Sequence, residues 1–136
     1  MFDKYVNRNT KNPLDIEHIW ANDYGRYQNV FSTVQEFQDW RNHVAGLLLL
    51  PADVNRSYQD KTFEQKAPHY TKQNLYAASL TASAYEHQPQ FAAFVRQNAL
   101  PFKPYNEFDK DAQKDRRELV RELVHRVWSP DRLKEI

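Results

Sequence analysis

The feature that most constrains this chain is the run Leu47 to Leu50 closed by Pro51, set in the longest apolar stretch of the sequence, Val44 to Ala52 (VAGLLLLPA). A run apolar at every position belongs in a core. Its length suits a strand, although periodicity alone leaves a helix open. It is less than half of the ~20 residues that a membrane span requires. The other strand candidate is Leu14 to Trp20. Alternation there sends Ile16 and His18 to one face and Glu17 and Ile19 to the other, so an apolar, β-branched segment carries two adjacent ionisable groups.

Around these strands the remaining signals are helical. Residues 1–13 are polar, end in Asn12-Pro13 and read as an entry loop. Ser32 opens a helix, with Gln35 as its capping-box partner and Val34, Phe37 and Trp40 or Arg41 along one face. Asp53 to Lys61 (DVNRSYQDK) reads as a polar turn. Thr62 caps a short helix through Phe63, Glu64 and Lys66 that stops at Pro68. Further helices are expected over Thr71 to Ser79, Pro89 to Asn98 and Asp109 to Trp128. In the last, Leu119, Leu123 and Val127 join Val120, Val124 and Trp128 in one apolar stripe ended by Ser129-Pro130. Two short strands with a helical remainder make a mixed α+β domain.

Composition narrows the chemistry. At 136 residues the chain is one ordinary domain. A mean hydropathy of −0.90 with 27% charged residues points to a well-solvated surface. The N-terminus has no apolar h-region, so secretion is not supported and a cytoplasmic location is expected. The absence of cysteine excludes disulfides, thiolate zinc sites and cysteine nucleophiles. Two glycines cannot supply the loops GxxxxGK or GxGxxG. A net charge of +1 is too balanced for the whole surface to attract nucleic acid, while a local basic groove stays compatible with it. Arg116, Arg117, Arg121 and Arg126, interleaved with Glu118 and Glu122, read as a solvated helix face. His69, His87 and His125 lack metal-ligand spacing and read as structural or surface residues.

The order of the motifs says more than any one of them. It runs Glu17-His18-Ile19, Arg41-Asn42, Gly46 with the leucine run and Pro51, and then Asn55, Tyr58, Asp60, Phe63 and Lys66. This succession resembles the His-Me finger (HNH-type) endonuclease domain, in the version that forms the C-terminal part of GmrSD-like, modification-dependent restriction proteins. HYTKQNLYAASL, LPFKPYNEF and RRELVRELVHRVW resemble that domain's helical tail, so the likeness covers nearly the whole chain from about Leu14. It implies a small ββα-metal core over about residues 14–67, a helical tail over about 70–136, and a single nuclease domain that is a C-terminal fragment of a larger protein.

The resemblance also implies a site. Histidine is a suitable general base at neutral pH, and His18 is the expected base, with Lys66 offering a point charge to phosphate. Glu17, Asn55 and Asp60 are the implied oxygen ligands of one Mg²⁺ or Mn²⁺, completed by water and phosphate oxygens. Arg41 and His43 are expected beside the site or on the DNA backbone. The implied function is metal-dependent hydrolysis of DNA phosphodiesters in restriction or phage defence. The expected partners are DNA, modified DNA included, and an N-terminal NTP-hydrolysing region. No membrane partner is expected. Two positions depart from the pattern. Ala21 stands where many relatives have Pro, and Ala45-Gly46 stands where a Gly-Asn pair often orients the base, which leaves His18 to be oriented by a backbone carbonyl or to be oriented less well. The alternative is a catalytically weakened DNA- or partner-binding module of the same fold.

Overall fold

The computed structural model describes residues 11–135, so most of the expected entry loop lies outside the described residues. Strand β1 (Leu14–His18) pairs antiparallel with β2 (Leu47–Pro51), with Glu17 opposite Leu48 and His18 opposite Leu47. The register follows from burial. Leu48 and Leu50 are 3% and 0% exposed and share the inner face with Glu17, whereas Ile16 and Leu49, at 53% and 41%, lie on the outer face with His18. A one-residue slip would bring Leu48 and Leu50 to the outside. The leucine run is therefore a strand, but one buried on a single face.

Between the strands lies α1 (Val34–Arg41), followed by a 3₁₀ turn at Val44–Gly46. Its cap is Thr33, whose hydroxyl accepts from the Glu36 N–H, while Glu36 accepts in return from the Ser32 N–H. The cap thus sits one residue beyond the expected Ser32, and Glu36 takes the role assigned to Gln35. Phe37 is fully buried and joins Trp20, Tyr27 and Phe31 in a ring cluster.

Directly after β2 comes α2 (Ala52–Tyr58), where the sequence reads as a turn. Its buried residues are Ala52 and Tyr58, too sparse a pattern to register as helical periodicity. Tyr58 Cα through Lys61 then forms a turn closed by a hydrogen bond from the Lys61 N–H to the Tyr58 carbonyl at 2.9 Å, with Gln59 at φ 46°, ψ −116°. Helix α3 (Phe63–Tyr70) has the expected Thr62 cap, completed by Gln65 as a full capping box. It does not stop at Pro68. The proline forgoes one hydrogen bond, and the helix continues to Tyr70, a residue with no exposed surface.

The helical remainder comprises α4 (Leu75–Ala78), α5 (Ser83–Glu86), α6 (Pro89–Gln97), α7 (Lys110–Trp128) and α8 (Pro130–Leu133). Asn74 caps α4, shortening the segment expected from Thr71, and Asp109 caps α7. The apolar stripe of α7 is only partly covered. Leu119 is buried, but Val124, Val127 and Trp128 are 51%, 55% and 66% exposed. Gln113 and Arg116 are buried instead, so the arginines of α7 do not form one solvated face. Gln113 explains why residue 46 is glycine. A Cβ there would lie 2.8 Å from the Gln113 Nε2, which is held by the Trp40 carbonyl, and 3.3 Å from the Arg41 carbonyl oxygen. Among the described residues, no helix is long and apolar enough to cross a membrane. The result is a small mixed α+β fold with its only described sheet, a hairpin, between α2, α3 and α7.

Candidate active site

The end of β1 is held from both faces. On the inner face the Glu17 carboxylate is 4% exposed, and its Oε1 accepts from Lys66 Nζ at 2.6 Å and from the Tyr70 hydroxyl at 2.8 Å. Lys66 is 1% exposed and also donates to the His18 carbonyl at 2.9 Å. Two buried charges survive out of water only when paired and hydrogen-bonded, and here each has both. Burial lowers the pKa of Lys66, opposed by the charge of Glu17 and by their hydrogen bond. Burial first, and then Glu17, pushes the Tyr70 phenol far up, so it is a permanent donor.

Both bonds to Glu17 fall on Oε1. Among the described residues no donor reaches Oε2. Tyr70 is four residues after Lys66 and therefore on the same face of α3, a spacing visible in the sequence but unread there.

On the outer face, the half-buried His18 has its Nε2 2.9 Å from the Asn42 Oδ1. An amide oxygen can only accept, so the ring proton sits on Nε2 and the lone pair on Nδ1. Asn42 follows the last residue of α1, with its backbone N–H bonded to the Gln38 carbonyl and the next N–H, of His43, to the Trp40 carbonyl, so helix geometry aims its side chain. A side chain, not a backbone carbonyl, orients this histidine. It comes from the end of α1 rather than from the turn before β2, and no spacing rule links positions 18 and 42. Burial lowers the His18 pKa. The hydrogen bond that His18 donates to Asn42 opposes this shift, and the Arg41 charge adds to it. The imidazole is thus neutral at pH 7, as a general base must be.

The other candidates fall in different places. Asn55, on α2, donates from Nδ2 to the Asp15 Oδ2 at 2.9 Å, and its own Oδ1 makes no hydrogen bond among the described residues. Asp60 is exposed. Its carboxylate lies 3.6 Å from Arg26, and its backbone oxygen also accepts from Arg26. Arg41 donates from Nε to the Trp20 carbonyl at 3.0 Å, and His43 accepts at Nδ1 from the Ala45 N–H at 3.1 Å. Ala21 is buried, 5% exposed. The structure thus brings together Glu17, His18, Lys66 and Arg41, with Asn42 and Tyr70 added. Asp60 is not among their contacts.

A divalent cation needs hard oxygen ligands. The free Oε2 of Glu17 and Oδ1 of Asn55 are of that chemistry. Among the described residues, however, no three His, Cys, Asp or Glu side chains gather into a metal-binding group.

The comparison with known families decides the assignment. Residues 2–123 match the model of the family described as GmrSD restriction endonucleases, C-terminal domain. The chain belongs to that family. The GmrSD C-terminal domain carries nuclease function of the restriction-endonuclease type, with DNA as its substrate. No curated protein and no solved structure matches the chain.

Proposed function

We propose that this GmrSD C-terminal domain is an HNH-type, divalent-metal-dependent DNA endonuclease that hydrolyses phosphodiester bonds in restriction and phage defence, with His18 as general base. The single observation that carries the reading is the Nε2–H of His18 held by Asn42, which leaves Nδ1 as a fixed proton acceptor. In this scheme Nδ1 takes a proton from water as the water oxygen bonds to phosphorus and the opposite P–O bond breaks. The leaving oxygen departs in line and is protonated from solvent, and His18 returns its proton to solvent. Lys66 acts from beneath, neutralising Glu17 and holding the His18 carbonyl, rather than touching phosphate. Glu17 and Asn55 would hold the cation, Mg²⁺ or Mn²⁺, which supplies charge neutralisation at the leaving oxygen. With its contacts on Arg26, Asp60 is outside this set.

One observation favours the alternative, a DNA- or partner-binding module that no longer cuts. Lys66 already compensates the charge of Glu17, which weakens its attraction for a cation. Incubation of supercoiled plasmid with Mg²⁺ or Mn²⁺ separates the two readings. The nuclease reading expects nicking that EDTA abolishes and that His18→Ala lowers by about 10²–10⁴-fold with the fold intact. Equal nicking by wild type and His18→Ala would overturn it. Metal-independent DNA binding without nicking would establish the alternative.

A further inference from the structure

The end of α1 and the first half of α7 meet at Trp40, and the contact is built from cations. The Lys110 ammonium lies 4.7 Å from the centre of the Trp40 ring, and the Arg117 guanidinium carbon lies 3.9 Å from it. Gln113 ties the two helices by donating to the Trp40 carbonyl at 2.8 Å and accepting from Arg117 at 2.9 Å. This holds Arg117 on Trp40, the residue before Arg41, with its charge felt by His43. A stacked guanidinium has already lost much of its side-chain freedom, so it has less to lose on meeting a ligand.

The charge there has no direct ion pair. Among the described residues, neither Arg41 nor Arg117 lies within ion-pair distance of a carboxylate. Arg121 and Arg126, further along the same helix, are paired with Glu118 and Glu122. Lys110 shares Glu36 at 3.5 Å. On α7, Arg121 and Arg126 are thus paired, Arg116 is buried against Ser79 and the Tyr76 carbonyl, and Arg117 lies on Trp40 without an ion pair. Burial, and then the Arg117 charge, lowers the pKa of His43. Since its Nδ1 accepts from the Ala45 N–H, the proton of this neutral ring is on Nε2, as a donor.

We propose that Arg41, His43 and Arg117 form a track for the phosphate backbone of duplex DNA, holding the strand that flanks the bond presented to His18. The two guanidiniums supply charge and forked donors, and His43 a neutral donor. The proposal rests on the nuclease reading for its substrate, and it assigns the path of the strand, over the end of α1 and across α7 near Trp40.

The test is made on binding alone. A short labelled duplex is titrated with protein carrying His18→Ala in EDTA, with anisotropy read at several salt concentrations. Adding Arg117→Gln should weaken binding several-fold and reduce the slope of log K against log salt by about 1, while Arg117→Lys keeps the slope. Arg121→Gln should leave the slope unchanged. His43→Ala, which leaves the Trp40 stack in place, should weaken binding at an unchanged slope, and it decides the matter should Arg117→Gln fail to fold. The track is overturned if Arg117→Gln keeps the parent slope, if Arg121→Gln lowers it equally, or if His43→Ala binds as tightly as its parent. Because no cleavage is measured, failure of the plasmid assay leaves this result standing, and the reverse also holds.

Discussion

Lys66→Met tests the arrangement beneath the site most directly. The substitution keeps the volume and the apolar stem but removes an ammonium that is bonded to a 4%-exposed carboxylate and to the His18 carbonyl. Removing one partner of a buried pair costs about 3–5 kcal/mol, because the surviving charge is left in a low-dielectric site. With unfolding entropies of about 2.1 cal/mol/K per residue, a chain of 136 residues loses roughly 3–4 °C of Tm per kcal/mol. The expected fall is therefore on the order of 10–17 °C, measured by thermal and urea unfolding monitored by circular dichroism.

The origin of the loss is separable from simple packing damage. The unpaired carboxylate is relieved by taking up a proton, so the deficit should shrink as pH is lowered from 8 to 5, whereas a packing defect would not change. Glu17→Gln in the Lys66→Met background should recover part of the stability, because it removes the stranded charge and keeps an acceptor for Tyr70. A loss below about 1 kcal/mol, or one independent of pH, would refute the reasoning and mean that water reaches the pair.

Three further outcomes are expected. The acid limb of the pH–rate profile should lie below pH 6.5, because burial, followed by the Arg41 charge, outweighs the Asn42 bond in setting the His18 pKa. Arg41→Gln removes one lowering influence and should move the limb to higher pH. Asn42→Ala should lower the plateau by about 10-fold or more as the imidazole loses its fixed tautomer, and should move the limb to lower pH. Asn42→Asp should move it to higher pH, and a plateau change without movement of either limb would count against direct orientation. Gln59→Gly should raise stability by about 1 kcal/mol in urea titration, since φ 46° with ψ −116° is a turn conformation that glycine adopts without strain.

The strand pairing shows why some features could be read directly. A run as apolar as Leu47–Leu50 seeks the core whatever surrounds it, although only Leu48 and Leu50 are buried, and alternation in β1 separates Glu17 from His18 with no outside information. The caps at Thr62 and Asp109 are equally local, because the residues that bond are three apart. Asn42 and His18, by contrast, are 24 positions apart, and Glu17 and Lys66 are 49 apart. Their distances depend on how α1 and α3 dock on the hairpin. Sequence supports Lys66 as a phosphate contact and Asp60 as a ligand equally well, because neither burial nor the neighbour Arg26 is visible in it.

By itself, then, the sequence determined the mixed α+β class, the hairpin with its two faces, and the ordered motifs that mark the GmrSD C-terminal domain. Each depends on local spacing or on the identity of successive residues. Only the tertiary structure decided that Glu17 lies over Lys66 and Tyr70, that Asn42 sets the tautomer of His18, and that Arg117 lies unpaired on Trp40 while Arg121 is paired. Desolvation, charge compensation and proton position are properties of groups brought together across the chain. They take their values only when the core closes.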